Sequence, residues 1–539
     1  MARMTGGEAL VDGLLRHGVD TIFGLPGVQL YGLFDALGRN ANRIRLINAR
    51  HEQTTAYMAF GYAQSTGRPG VFTVVPGPGV LNTTAALATA WGVNAPLLCL
   101  TGQVPSNFIG QGRGQLHELP DQLATLKTLL KSAERIEAPV DAPYKLAQAF
   151  QTMQSGRQSP VALEMASDMF TTVADIEPCD PLPLHPKPTL DTVKLAELVK
   201  AINAAKAPMI WVGGGALDAS AEITALAERI GAPVGALRTG KGIVSSHHPL
   251  SITVPAGAKL WPDCDLVIGI GTRMTTPLAS FGAKPPGLTV ARIDIDPAEM
   301  RRLPVDIGII GDAAQTAAAL TKMVAERHDP AQLAKIAAAK AEIQEAIQVI
   351  QPQMSLVEAI RDVLPEDGIF CDEMTQVGYV SWFGMPSYSA RSFITSGFSG
   401  TLGYGVPTAL GVKVAHPDRT VIAVTGDGGF LFGGVELATA VQHGINLVIV
   451  VVNNSAYGNV FRDQKRLFDG RHAGSQLVNP DFQMYARSFG VPSWRVTDAD
   501  GLRGALKQAI AANSPALVEV VTDIDNEPLP FAFLARGRA

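Results

Sequence analysis

Residues 420–454 read TVIAVTGDGGFLFGGVELATAVQHGINLVIVVVNN. The β-branched run from Thr420 to Thr425 predicts a buried strand, and the glycines after it let the backbone turn sharply and approach a ligand closely. From Phe432 to His443 the pattern is helical, so free N–H groups at the helix start can face phosphate oxygens. A second strand, Asn446 to Val452, returns the chain to the same end of the sheet and delivers Asn453 and Asn454 there. Asp427 then offers a hard anionic oxygen and Asn454 a neutral one, an oxygen-only set suited to magnesium. A GDG triplet alone is no more than a tight turn after a strand. Paired with a second strand ending in Asn-Asn, it reads as a cradle for a metal-bound diphosphate.

A chain of 539 residues exceeds what one core serves, and 47% hydrophobic with 17% charged residues describes a well-buried globular protein. A net charge of -5 gives no reason to expect nucleic acid or an anionic membrane as partner. Cys99, Cys179, Cys264 and Cys371 lack metal-like spacing and read as reduced thiols. No signal peptide and no membrane-spanning run is expected, which points to the cytoplasm. The proline-rich stretch PCDPLPLHPKPT (178–189) and the alanine-rich helix ending at Pro352 suggest boundaries. The expected domains are 1–178, 190–328 and 353–539. Each alternates apolar strands with amphipathic helices, the pattern of an α/β open parallel sheet.

The outer two domains echo each other. In the first, a Gly/Ala-rich helix (Glu52 to Ser65) leads through GRPG to VFTVV and Pro76-Gly77-Pro78-Gly79; in the last, Gly403 to Ala415 leads through HPDR to VIAVT and Gly426-Asp427-Gly428-Gly429. The first also carries Arg50-His51-Glu52-Gln53 at a strand-to-helix junction. Taken alone, Glu52 is a surface carboxylate favoured by the helix dipole.

The stretch GDG through NN resembles the signature of thiamine diphosphate-dependent enzymes. That resemblance implies that Asp427, Asn454 and the carbonyl of Ala456 hold magnesium, and that Gly426, Gly428, Gly429 and Tyr457 lie against the cofactor. Glu52 matches the glutamate that bonds the aminopyrimidine ring nitrogen and so prepares the exocyclic nitrogen as a base. In SGFSGTLGYGVP, Leu402 matches the apolar wedge that bends the cofactor, and the Gly400 carbonyl accepts from its exocyclic amine. Thr375 and Gln376, in CDEMTQ, match a second diphosphate-contacting loop. The family's cofactor lies between the first domain of one subunit and the last domain of another, which implies a homodimer or homotetramer.

Over nearly the whole chain the sequence is most similar to the acetohydroxyacid (acetolactate) synthase branch of 2-oxoacid decarboxylating enzymes, through GLPGVQLYGLFDAL, RHEQTTAYMAFGYAQSTGRPG, GPGVLN, LTGQVPSNFIG and TSGFSGTLGYGVP. The implied function is a lyase or transferase that makes or cleaves a carbon–carbon bond beside a carbonyl through a ylide and an enamine. An acetolactate synthase-like carboligase is the first reading, and a non-ligating 2-oxoacid decarboxylase resembling benzoylformate decarboxylase the alternative. Two departures bear on the substrate. Gln115 matches a synthase glutamine, but glycine replaces the neighbouring phenylalanine, and Arg113 with His117 becomes a candidate pair for carboxylate recognition and proton transfer. Asn459 and Asp463 replace an apolar wall and imply a different substrate, more polar or larger, with Asn459 contacting it. Isolated histidines and polar helix residues are also ordinary hydrogen-bonding groups. In the central domain, WVGGGALD and LVIGIGTRM resemble the FAD-holding region of the synthases. Thr275-Thr276 stands where an acidic pair is expected, so FAD is doubtful and a vestigial or empty nucleotide site is expected, with ADP and CoA left as alternatives.

Overall fold

The computed structural model describes residues 1–303 and 305–526, so the end of the domain expected at 353–539 lies outside the described residues. Three parallel sheets of six strands each are flanked by helices. The first sheet contains, in chain order, Thr21–Gly24, Arg45–Asn48, Gly70–Val74, Leu97–Gln103, Ser132–Ile136 and Val161–Ala166. The last contains Ile369–Cys371, Phe393–Ile394, Val421–Gly426, Val448–Asn453, Ser493–Val496 and Ala516–Val521. Both have the spatial order second, first, third, fourth, sixth, fifth. The echo heard between the two sequences is therefore also an identity of topology.

The central sheet is built from Pro208–Val212, Val234–Ala236, Ser251–Ile252, Leu266–Ile270, Thr289–Asp294 and Ile307–Ile310. Its order is third, second, first, fourth, fifth, sixth, a doubly wound arrangement with a crevice where the order reverses. Its hydrophobic core is its own, around Trp211, Trp261 and Ile268. The outer two sheets instead share a core. The helices Glu52–Thr66 and Gly405–Ala415 pack together so closely that a Cβ on Gly61 would collide with the Thr408 carbonyl, and one on Gly411 with that of Met58. Both helices are apolar on nearly every face because each is sandwiched between its own sheet and the other helix.

The strands around residues 420–454 form because β-branched residues fill positions buried on both faces. Their register pairs Gly426 with Val452, so both strands end at the same level. The expected helix from Phe432 to His443 needs correction. Helical structure begins at Asp427, and Gly433-Gly434 divides it into Asp427–Gly433, a 3₁₀ turn Gly434–Glu436 and Leu437–His443. Two adjacent glycines interrupt a helix that periodicity alone treats as continuous.

Candidate active site

Asp427 is the first helical residue after the third strand of the last sheet and is 1% exposed. Its Oδ2 accepts from Asn479 Nδ2 at 2.7 Å, and Asn479 also donates to Asn453 Oδ1 at 3.0 Å. Burial pushes the Asp427 carboxyl above the usual carboxylate range, while hydrogen bonds from Asn479 and from the backbone around Gly428, Ser455 and Ala456 pull it back. Among the described residues no cationic side chain pairs with it, and Asn479 Oδ1 is buried without a hydrogen-bond partner. A buried, uncompensated carboxylate beside amide and carbonyl oxygens fits a hard divalent cation. Among the described residues no cluster of three His, Cys, Asp or Glu side chains competes for that role.

Asn454 follows directly on the adjacent strand, Ser455 turns the chain at φ 55°, and Ala456 bridges to Gln476, which brings the Asn479 segment across the site. The glycines after Asp427 are packed against protein. A Cβ on Gly428 would meet the Tyr457 ring at 2.6 Å, and one on Gly429 would collide with Glu373. Thr375, at the exit of the neighbouring strand, caps the helix Gln376–Gly384 by accepting from Gly378 N at 2.8 Å, and its methyl would lie 3.3 Å from a Cβ on Gly426. The loop carrying Gly400 and Leu402 completes this end of the sheet, with Leu402 half-buried and Gly400 at φ 55°. Thr375, Gln376, Gly426, Asp427 and Asn454 thus come from three adjacent strand ends.

Glu52 opens its helix, half-buried, and Oε2 accepts from Asn82 at 3.0 Å. The backbone N–H groups of Arg50 and His51, just before it, donate to buried Glu436 at 3.0–3.1 Å. Within one chain the Glu52 turn is therefore anchored to the 3₁₀ turn Gly434–Glu436, which follows helix Asp427–Gly433. Sequence reasoning missed Glu436 and Asn479. Nothing local signals a carboxylate whose partners lie 386 residues away.

Arg113 and His117 lie on one curled loop but differ in surroundings. Arg113 is exposed, while His117 Nδ1 meets Gln29 Oε1 at 2.9 Å and its carbonyl abuts Gly77. Glu118, which accepts from Gly112 N and Gln115 N, sets the curl of this loop and leaves Gln115 half-buried. On the helix Gly458–Leu467, Asn459 Oδ1 is buried without a hydrogen-bond partner among the described residues, and Arg462 faces the Gln376 amide. Asp463 pairs with Arg466 at 3.2 Å.

The central sheet, where a vestigial or empty nucleotide site is expected, carries an open cavity. A cavity of about 690 Å³ opens at the reversal point, lined by Gly214, Gly215, Arg157, Arg273, Thr275 and Trp382 among others. Helix Thr275–Ser280, starting after left-handed Met274, closes one wall where the acidic pair was expected.

Three family models match this chain: the N-terminal thiamine pyrophosphate binding domain of thiamine pyrophosphate enzymes over residues 4–125, their central domain over 195–320 and their C-terminal binding domain over 375–520. The fold and the site define a thiamine diphosphate-binding enzyme, and the chain belongs to the thiamine pyrophosphate enzyme family. Within it, the chain is similar to a probable 2-ketoarginine decarboxylase of Pseudomonas aeruginosa, at 33% identity over 96% of this chain and 94% of that protein. It is similar also to the acetolactate synthase large subunit of Parasynechococcus marenigrum, at 33% over 96% and 87%, and to the isozyme 1 large subunit of Escherichia coli, at 28% over 98% and 96%. It is a transferase or decarboxylase of that acetolactate synthase and decarboxylase-like group. No helix among the described residues is long and apolar enough to cross a membrane.

Proposed function

We propose that this enzyme decarboxylates a 2-oxoacid with a polar side chain, using thiamine diphosphate and magnesium. The observation that carries the substrate class is the polar helix Gly458–Leu467, where Asn459 has a buried, unpartnered oxygen and Arg462 lies against Gln376. A polar atom buried without a partner is costly and gains a bond when a matching substrate enters. Similarity to a probable 2-ketoarginine decarboxylase supports the same reading. Ligation to a second carbonyl compound is the other reading, favoured by the synthase relatives.

Bound thiamine diphosphate supplies a thiazolium that accepts the electron pair released with carbon dioxide. Asp427, Asn454 and the Ala456 carbonyl would hold the magnesium, and the N–H groups at the start of Asp427–Gly433 would face the diphosphate. Glu52 would hold the proton at the aminopyrimidine ring nitrogen, and Leu402 would support the bend between the rings. Gln115 and His117, half-buried on the loop over Gly77, would close the substrate side and exclude water.

The complete site is assigned to two subunits. The helices adjoining the cofactor loops expose Leu81, Leu431, Phe432, Val435 and Val441, an apolar set suited to a second copy. A homodimer or homotetramer in the cytoplasm follows from this reading. Mixing Glu52→Gln with Asp427→Ala subunits tests it, since a shared site regains part of the activity and a site within one chain regains none.

The substrate is tested by carbon dioxide release from a panel of 2-oxoacids with thiamine diphosphate and magnesium, with product analysis. Release from polar 2-oxoacids with an aldehyde product is expected. Exclusive turnover of pyruvate to a hydroxyketone acid would establish the synthase reading instead.

A further inference from the structure

Two consecutive carboxylates, Asp372 and Glu373, leave the first strand of the last sheet fully buried. They grip three consecutive residues of another loop. Glu373 Oε1 accepts from Gly403 N at 2.7 Å and Oε2 from Gly405 N at 3.2 Å, while Asp372 accepts from the hydroxyl of the intervening Tyr404. Asp372 Oδ2 also accepts from Trp382 Nε1 at 2.7 Å, on the helix that Thr375 caps. Glu373 further bonds Thr425 at the end of the third strand and lies against Gly429.

The gripped residues end the loop that carries Gly400 and Leu402. Gly403 stands at φ 77°, and a Cβ there would strike Phe432 of the diphosphate helix. The loop is thus pinned between Phe432 on one side and the carboxylate pair on the other. Burying two carboxylates side by side is costly, and burial does push both above the usual carboxylate range. A hydrophobic pair at this strand exit would pack without that cost, but it could not accept three hydrogen bonds from residues 403–405.

We propose that Asp372 and Glu373 are positioning residues for the reaction, which pre-set the Gly400–Leu402 loop in the shape that supports the bent cofactor before it binds. This inference rests on the proposed role of Leu402. Neither carboxylate needs to touch substrate or cofactor. Their contribution is to avoid ordering the loop at the moment of reaction.

Glu373→Gln is the decisive variant. It keeps the shape and an oxygen for Gly403 N but sets an amide N–H₂ against Gly405 N–H. The expected result is a kcat lowered about tenfold and a thiamine diphosphate dissociation constant raised about tenfold, with substrate KM little changed and the melting temperature of the cofactor-free protein not lowered. Should that variant not fold, Tyr404→Phe removes the hydroxyl that bonds the Asp372 carboxylate and carbonyl and the Ser396 backbone, and shows a smaller loss of the same kind.

Leu402→Ala is measured alongside and in combination. Impairment by each change, with a double variant no worse than Leu402→Ala alone, supports the proposal. Leu402→Ala impaired with Glu373→Gln and Tyr404→Phe at full kcat and affinity overturns the proposal and leaves the reading of Leu402 intact. Fully additive effects overturn it also, because the carboxylates then act elsewhere. Full activity in Leu402→Ala removes the reading on which the proposal stands.

Discussion

The first and last sheets have the same strand order, yet the corresponding strand ends carry different chemistry. After the first strand the first unit has Leu25-Pro26, where the last has Asp372-Glu373; after the third strand it has Val75 and Pro76-Gly77-Pro78-Gly79, where the last has Gly426-Asp427-Gly428-Gly429. At the start of the preceding helix the situation is reversed, with Glu52 in the first unit and Gly405 in the last. On the proposed reading, one scaffold would hold a carboxylate for a heterocycle at one end and carboxylates for a metal and a loop at the other. Topology fixes where a ligand can sit, and the few residues at each strand exit decide which part of the ligand it is.

The largest expected effect separates the two third-strand exits. Asp427→Ala should abolish magnesium-dependent cofactor binding, weakening it by on the order of a hundredfold or more in calorimetric titration. Gly79→Ala on the opposite loop should leave magnesium dependence unchanged. A metal requirement that survived Asp427→Ala would break the contrast.

The shared seam between the units gives the next effect. Gly411→Val inserts a side chain where the Met58 backbone already lies, and should cost about 3 kcal/mol in urea unfolding. Gly504→Val, whose Cβ would meet nothing within 4 Å, should change stability by no more than about 0.5 kcal/mol, because valine is no worse a helix former than glycine. Equal losses would mean that the outer units are not held by this close approach.

Asn479→Ala should weaken cofactor and magnesium binding by roughly tenfold, because Asp427 then loses its side-chain donor. Asn459→Met, which restores an apolar side chain to the polar helix, should shift preference toward small apolar 2-oxoacids by roughly tenfold in relative kcat/KM.

The acid pair at the first-strand exit supplies a pH effect that Leu25-Pro26 cannot. Burial raises Glu373 from 4.5 to about 7, with Asp372 raised beside it and Tyr404 and Tyr57 facing the same group. The folded chain therefore binds these protons more tightly than the unfolded one. Their contribution to stability is present below the unfolded value and is lost as pH rises through about 7. Lys241, lowered by burial from 10.5 to about 7, has the complementary window, and its contribution improves from about pH 7 toward 10.5. The cofactor-free melting temperature should fall between about pH 5 and 7, and Glu373→Gln should flatten that slope. A slope unchanged in the variant would assign it to other groups.

Much of this was legible in residues 420–454. The strand boundaries expected there shift by one or two residues, because periodicity marks a strand better than its ends. The helix start was misplaced because glycines hide helical character while leaving the geometry available. The surroundings of Arg113 and His117 were hidden for another reason. Left-handed glycines at 110, 112 and 114 curl the loop, and Glu118 fixes the curl, so sequence spacing does not give each residue's exposure or partners. The full extent of the central cavity was not legible because its walls come from all three units, including Arg157, Arg273 and Trp382, rather than from one motif.

The sequence by itself determined the cofactor class, the three parallel sheets and the candidates Asp427, Asn454 and Glu52. Those depend on local patterns, in which strand periodicity, glycine turns and short polar motifs lie within a few dozen residues. Only the tertiary structure decided that Glu436 anchors the Glu52 turn, that Asn479 supports Asp427 and that Asp372 and Glu373 grip residues 403–405. Hydrogen bonds between distant segments leave no period or spacing in a sequence; their geometry exists only once the sheets have brought the strand ends together.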